Sequence, residues 1–139
     1  MEALIAVVDS GPLYAAVDAD DEDHDRCVGV LSRLDLELVI PAMVVAEVTF
    51  LVGRRLGPDV EAAFLGGLSE LEVEAPVDDD WPRIAELVRK YRDFPLGGTD
   101  ASVAILADRL GTDLILTLDR RHFGTLRSGR GNPFQLLPA

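Results

Sequence analysis

Four acidic residues stand out in this chain because of what surrounds them. Asp9 ends the apolar run Leu4-Ile5-Ala6-Val7-Val8, and Asp119 ends Leu114-Ile115-Leu116-Thr117-Leu118. Glu47 is the only charge between Pro41 and Gly53. Asp100 follows Gly97-Gly98-Thr99 and precedes the small and apolar stretch Ala101 to Ala107. No histidine or cysteine holds a comparable position. A set of oxygen-only ligands suits a hard cation, Mg²⁺ or Mn²⁺, rather than zinc. Such cations are held by a few carboxylates and keep water for a substrate phosphate. Two of them about 3.5–4 Å apart stabilise the attacking and leaving oxygens of an in-line displacement. Ser10 and Thr117 place hydroxyls beside the strand-end acids, where they suit hydrogen bonds to the ligands. Turn capping and β propensity account for the same two residues equally well.

Each acid also has a simpler reading. An isolated carboxylate in a buried helix must be neutral, paired or bound to a cation. The stretch from Ala42 to Val52 is apolar enough to be such a helix, so Glu47 is expected to be buried. Alternatively, it lies on a narrow exposed stripe or pairs with Arg54 or Arg55. Asp100 in the first turn of a helix favours the macrodipole with no other role.

The elements that must position these acids alternate. A strand over residues 4–8 leads through Ser10-Gly11-Pro12 into a short helix, and a second helix covers about Asp23 to Leu34. A strand from Leu36 to Ile40 precedes a helix opened by Pro41 and stopped at Gly57-Pro58; another helix runs to about Leu68. A short strand, Leu71 to Ala75, comes before a helix capped by Asp79 or Asp80, with Pro82 in its first turn, that ends near Tyr91. Thr99 caps the next helix, which ends at Leu110-Gly111. The strand ending at Asp119, a short helix and a strand from Phe134 to Leu137 complete the chain. Continuous apolar strands separated by helices predict a parallel sheet with right-handed crossovers, in which ligands bind beyond the carboxyl ends of the strands.

The bulk properties bound the answer. At 139 residues the chain makes one domain, and 48% hydrophobic residues exclude a disordered chain. No apolar run reaches the roughly 20 residues of a membrane span. No basic region precedes a cleavable apolar stretch, so no signal peptide is expected. The single cysteine, Cys27, excludes an internal disulfide, is expected to pack in a helix, and fits a cytoplasmic protein. The net charge of −12 argues against a general nucleic-acid binder. The charge is uneven: six acids crowd Asp18 to Asp25, whereas Arg120, Arg121, Arg127 and Arg130 make a basic region near the end. The acidic runs read as a solvated surface, or as charge met by a basic partner or partly offset by metal ions.

The segments DSGPLYA, VVAEV, GGTDASVAILA and LTLDRRHF, which carry Asp9, Glu47, Asp100 and Asp119, resemble the four acidic motifs of PIN-domain ribonucleases. Their order and spacing are similar to those of the VapC-like toxins of bacterial toxin–antitoxin pairs. The resemblance spans the whole chain and implies a single PIN domain over residues 1–139. Its fold would be a three-layer α/β sandwich with a mostly parallel sheet of four or five strands. It implies a Mg²⁺- or Mn²⁺-dependent endoribonuclease acting on RNA, with all four acids as metal-binding and catalytic residues. It further implies a homodimer neutralised by a VapB-type antitoxin whose C-terminal segment wraps the toxin and presents an arginine or lysine to the cleft. Val45, Phe50, Phe64 and Leu65 are candidates for the groove that grips it. Where some relatives carry a further acid near the last motif, this chain has Arg121 and His122. A housekeeping RNA-processing nuclease and a non-catalytic PIN-like binding protein are the competing readings. A haloacid-dehalogenase-like phosphatase needs a second acid where Gly11 stands. A phosphoacceptor domain needs a lysine at a strand end, and the only lysine, Lys90, lies in a helical segment.

Overall fold

The computed structural model describes residues 3–139. Five strands form one sheet: β1 (Leu4–Val8), β2 (Leu36–Pro41), β3 (Glu72–Glu74), β4 (Leu114–Leu116) and β5 (Gln135–Leu137). Their order is β3-β2-β1-β4-β5 and every pairing is parallel. Seven helices connect and flank them: α1 (Ser10–Val17), α2 (His24–Leu31), α3 (Ala42–Leu56), α4 (Pro58–Gly67), α5 (Asp80–Lys90), α6 (Gly98–Arg109) and α7 (Arg120–Thr125). A 3₁₀ turn, Leu68–Glu70, follows α4. No described helix is long and apolar enough to cross a membrane.

The chain winds from β1 outward through β2 to β3, then returns past β1 to β4 and β5. With right-handed crossovers the first excursion puts α1–α4 on one face and the second puts α5–α7 on the other. Within each face α1 packs on α2 and α3, α3 on α4, and α5 on α6; α3 and α6 also meet each other. The direction of winding reverses between β1 and β4, which makes their carboxyl ends the switch point where open α/β sheets bind ligands.

The central elements are the most apolar. Ala6, Val7 and Val8 of β1 and all of β4 are buried, as is α6 from Ala101 to Ala107. α6 is therefore covered on every side, which explains a helix with almost no polar face. It stops at Gly111, whose φ of +71° is a conformation that residues with a Cβ rarely adopt. Gly57, at φ +92°, lets the chain turn from α3 into α4 in one residue. Cys27 is fully buried, as a packing residue would be.

Several boundaries differ from expectation, each for a local reason. The strand expected to reach Asp119 stops at Leu116; the Thr117 amide still bonds the Leu137 carbonyl at 2.8 Å, and past it the Thr117 hydroxyl accepts the Asp119 amide at 2.9 Å and turns the chain away. α2 ends at Leu31 instead of near Leu34. Arg33 and Asp35 pair twice across a tight turn, and Leu34 is left 99% exposed. Pro41 is the last residue of β2 and caps α3 in extended conformation rather than opening it. Proline tolerates that place because no N–H is needed there. Gly97, not Thr99, caps α6.

Candidate active site

The turn after β1 places Asp9 at the start of α1, in extended conformation, with its amide bonded to the Leu116 carbonyl of β4 at 2.9 Å. That bond ties the ends of the two strands at the switch point together. The Thr117 hydroxyl donates to Asp9 Oδ2 at 2.7 Å, and its oxygen accepts the Asp119 amide. One threonine thereby sets the position of two acids from different segments. Asp119 caps α7, its Oδ1 accepting the His122 amide at 2.9 Å.

Asp100 is the third residue of α6, in its first turn, where the nearby Gly97 amide favours its charged form. One side chain thus serves both as a first-turn acid favourable to the macrodipole and as part of the cleft lining. Glu47 departs from expectation. α3 buries Val44, Val48 and Val52, spaced four residues apart, and Glu47 is exposed on the neighbouring side. No ion pair with Arg54 or Arg55 forms among the described residues; Arg55 instead covers the Tyr14 ring at 5.1 Å. The exposure of Glu47 is to the cleft. Asp9, Ser10, Gly11, Glu47, Asp100, Leu118 and Asp119 line one open recess of about 560 Å³.

The electrostatics follow from crowding. Burial, reinforced by the charges of Asp100 and Glu47, pushes the Asp9 carboxyl up to about 6, against the pull of the Thr117 hydroxyl and the Ser10 amide. Burial and the charges of Asp119 and Glu47 likewise raise the Asp100 carboxyl, opposed by His122 and the Gly97 amide. Carboxylates held together in this way repel one another until a cation joins them. The Ser10 hydroxyl supplies a second indication. It is buried at the cleft floor and has no hydrogen-bond partner among the described residues, which costs free energy unless a ligand or water meets it. The oxygen-only donors of Asp9, Glu47, Asp100 and Asp119 fit a hard divalent cation.

Sequence reasoning missed His122. Its Nδ1 lies 2.7 Å from Asp119 Oδ2 and its Nε2 lies 3.0 Å from the Phe94 carbonyl, while its ring packs at 4.7 Å from that of Phe94. Both neighbours are acceptors, an arrangement that favours the doubly protonated ring. Burial alone would lower its pKa; the hydrogen bond and charge of Asp119, the Phe94 carbonyl and Asp100 outweigh this and raise it. One potential ligand atom from each of Asp100, Asp119 and His122 lies within 4.8 Å of the others. The available signal is the spacing, since His122 comes one helical turn after Asp119. Comparison with the family motif shows it only as a position where an acid is missing.

A folded-state pKa above the ordinary value means that the His122 contact stabilises the fold fully below about pH 6.5 and is lost as pH rises through the raised value. His122→Ala is expected to destabilise the protein by about 1–2 kcal/mol at pH 6, with the difference from wild type shrinking by pH 9. Thermal melts of both proteins across this range check it; a pH-independent difference contradicts it.

Residues 6–126 match the PIN domain, and the chain belongs to that family. It is 38% identical to ribonuclease VapC26 of Mycobacterium tuberculosis over 136 residues, which is 95% of this chain and 99% of that protein. Among solved structures it resembles VapC20 of M. tuberculosis, a toxin that cleaves the sarcin–ricin loop. The TM-score is 0.73 at 18% identity, over 79% of this chain and 86% of that one. VapBC2 of Rickettsia felis, bound to a fragment of its promoter DNA, matches at a TM-score of 0.66 and 18% identity, over 96% and 97% of the two chains. At these identities the structural likeness establishes the fold.

Proposed function

We propose that this chain is a metal-dependent endoribonuclease, the toxin of a VapBC-like pair. The observation that carries the reading is the convergence of four acids from four separate segments on one cleft at the sheet's switch point. It occurs in a chain closely related to a ribonuclease over nearly its whole length. Asp9, Glu47, Asp100 and Asp119 would hold Mg²⁺ or Mn²⁺. When bound, the cation neutralises charge on a phosphodiester and lowers the pKa of water at its phosphorus. The protein's own groups do the rest. Thr117 fixes the Asp9 carboxylate, and His122 fixes that of Asp119, so neither must reorganise on binding. The wide opening admits a strand whose backbone is accessible, as in a single-stranded loop. Sequencing RNA 5′ ends after induction of wild type and Asp9→Asn tests the reading. Discrete new ends in the wild type alone support it; identical end profiles refute it.

The partner reading has two supports. The cleft is acidic and suits an arginine or lysine from an antitoxin. A separate apolar groove of about 300 Å³ lies on the α1–α4 face, lined by Leu13, Val17, Leu38, Ile40, Phe64 and Leu68 among others. Of the four residues expected to form such a groove, only Phe64 lines it. Val45 packs against the core, and Phe50 and Leu65 are exposed elsewhere. With a net charge of −12, association with a basic segment should be steered, slowing about tenfold or more from 50 to 500 mM salt. Mg²⁺ should compete with the basic residue in the cleft. Stopped-flow association across salt and Mg²⁺ concentrations checks both; rates insensitive to each contradict this mode of capture.

A further inference from the structure

The charge of this protein is unevenly distributed along the chain. Residues 1–80 contain nineteen acids and four arginines, while residues 81–139 contain six acids and nine arginines and lysines. The first segment, at a net −15, supplies α1–α4, although Glu72, Glu74 and Asp78 to Asp80 among its acids lie on β3 and up to the start of α5; the second, at +3, supplies the rest of α5, α6, α7 and the C-terminal segment. Two of the six acids in the second segment, Asp100 and Asp119, belong to the cleft itself. A polyanion repelled by the acids of α1–α4 thus meets, on the other side of the cleft rim, the cations of α5–α7 that make no ion pair among the described residues.

The cations of the second segment differ in how they are used. Arg83, Arg109 and Arg130 pair with Asp108, Glu74, Asp80 and Asp113. Among the described residues, Arg89, Lys90, Arg92 and Arg121 make no ion pair. Arg121 is two residues past Asp119, exposed, and its guanidinium sits 5.3 Å from the centre of the Phe94 ring. An arginine stacked on an aromatic ring keeps its donor edge free and its orientation fixed, which suits phosphate recognition and base stacking. Beyond it, α5 and α6 pack together, and a recess of about 250 Å³ between them is lined by Arg83, Lys90 and Arg127 together with Glu86 and Asp108. Asp108 is already held by Arg83 and the Gly129 amide. The recess reaches Asp108 on α6, about 12 Å along the helix from Asp100. That length spans a few nucleotides.

We infer that single-stranded RNA lies across the α5–α7 layer, its backbone running from the acidic cleft past Arg121 and Phe94 to the Lys90–Arg127 recess, while the α1–α4 layer takes no part. This rests on the ribonuclease reading for the identity of the ligand, and it explains how a strongly acidic protein holds a polyanion. The counter-charge is local, and the acidic layer orients the molecule by repulsion.

The test uses the full chain and a mixed-sequence 12-nucleotide single-stranded RNA in EDTA, followed by amide NMR and by anisotropy of a labelled copy. Amide shifts should concentrate at the end of α5, around Phe94, on α7 and at residues 127–129. Arg121→Gln and Lys90→Gln should each weaken binding about threefold to tenfold and flatten the salt dependence by about 0.7 for each phosphate no longer neutralised. Arg26→Gln, on the acidic layer, should change neither. The spectra report the folding of each variant. Shifts on α1–α4, no shifts at millimolar RNA in 50 mM salt, or Arg121 and Lys90 variants that bind as wild type would overturn the inference. RNA bound along α5–α7 but never cleaved with Mg²⁺ or Mn²⁺ would remove the ribonuclease reading and leave this surface standing.

Discussion

Asp9→Asn should reduce RNA hydrolysis about 10³-fold or more and at the same time make the protein more stable. The first effect follows from the site. Asp9 is buried at the switch point and pinned by Thr117, and losing one anionic ligand removes several kcal/mol of charge stabilisation at the reacting phosphate. The second follows from crowding. The carboxyl titrates at about 6 in the folded protein against an ordinary 3.8. The folded state therefore holds its proton over a range in which the unfolded chain has released it. Stability falls as pH rises between about 4 and 6, by roughly 3 kcal/mol at about 1.4 kcal/mol per unit. Asparagine keeps an acceptor for Thr117 and carries no charge, so the variant should recover most of that difference at pH 7 and none at pH 3.5. Denaturant unfolding of both metal-free proteins across this range is the measurement. A variant that is less stable at pH 7, or one that still cleaves RNA, would contradict the account of the site.

Removing the cation should be as severe as removing its ligand, but reversible. RNA cleavage should fall to background in chelator and return with Mg²⁺ or Mn²⁺. The metal should also act on the fold. Ligands that bind only the native state raise its stability by about 2.7 kcal/mol at a hundred times the dissociation constant, and relief of repulsion among Asp9, Asp100 and Glu47 is part of that energy. The melting temperature of wild type should therefore climb by several degrees with Mn²⁺. Asp9→Asn and Asp100→Asn, lacking a ligand, should climb less. Activity that persists in chelator, or equal melting shifts in all three proteins, would show that the cleft does not work through a cation.

Much of this molecule can be read along the chain. The two apolar runs ending at Asp9 and next to Asp119 form neighbouring strands, as runs of strand length without polar alternation suit the interior of a parallel sheet covered on both faces. The helices near their expected places follow from glycine and proline punctuation, as at Gly57-Pro58 and Gly111. The family motifs single out all four acids, since each motif carries its own local context.

What the tertiary structure decided is where partners come from outside a residue's own segment. Glu47 looks buried in the sequence because its helix is apolar. Which side of a helix is covered depends on what packs against it, and α3 turns Glu47 toward an open cleft. His122 gains its role from the Phe94 carbonyl, 28 residues away in the chain. The uneven charge is visible as composition, but only the winding of the chain about β1, outward on one side and back on the other, sets the acids of α1–α4 apart from the cations of α5–α7 that make no ion pair. Local sequence sets which residues can form strands, helices and caps; contacts between distant segments set exposure and charge pairing.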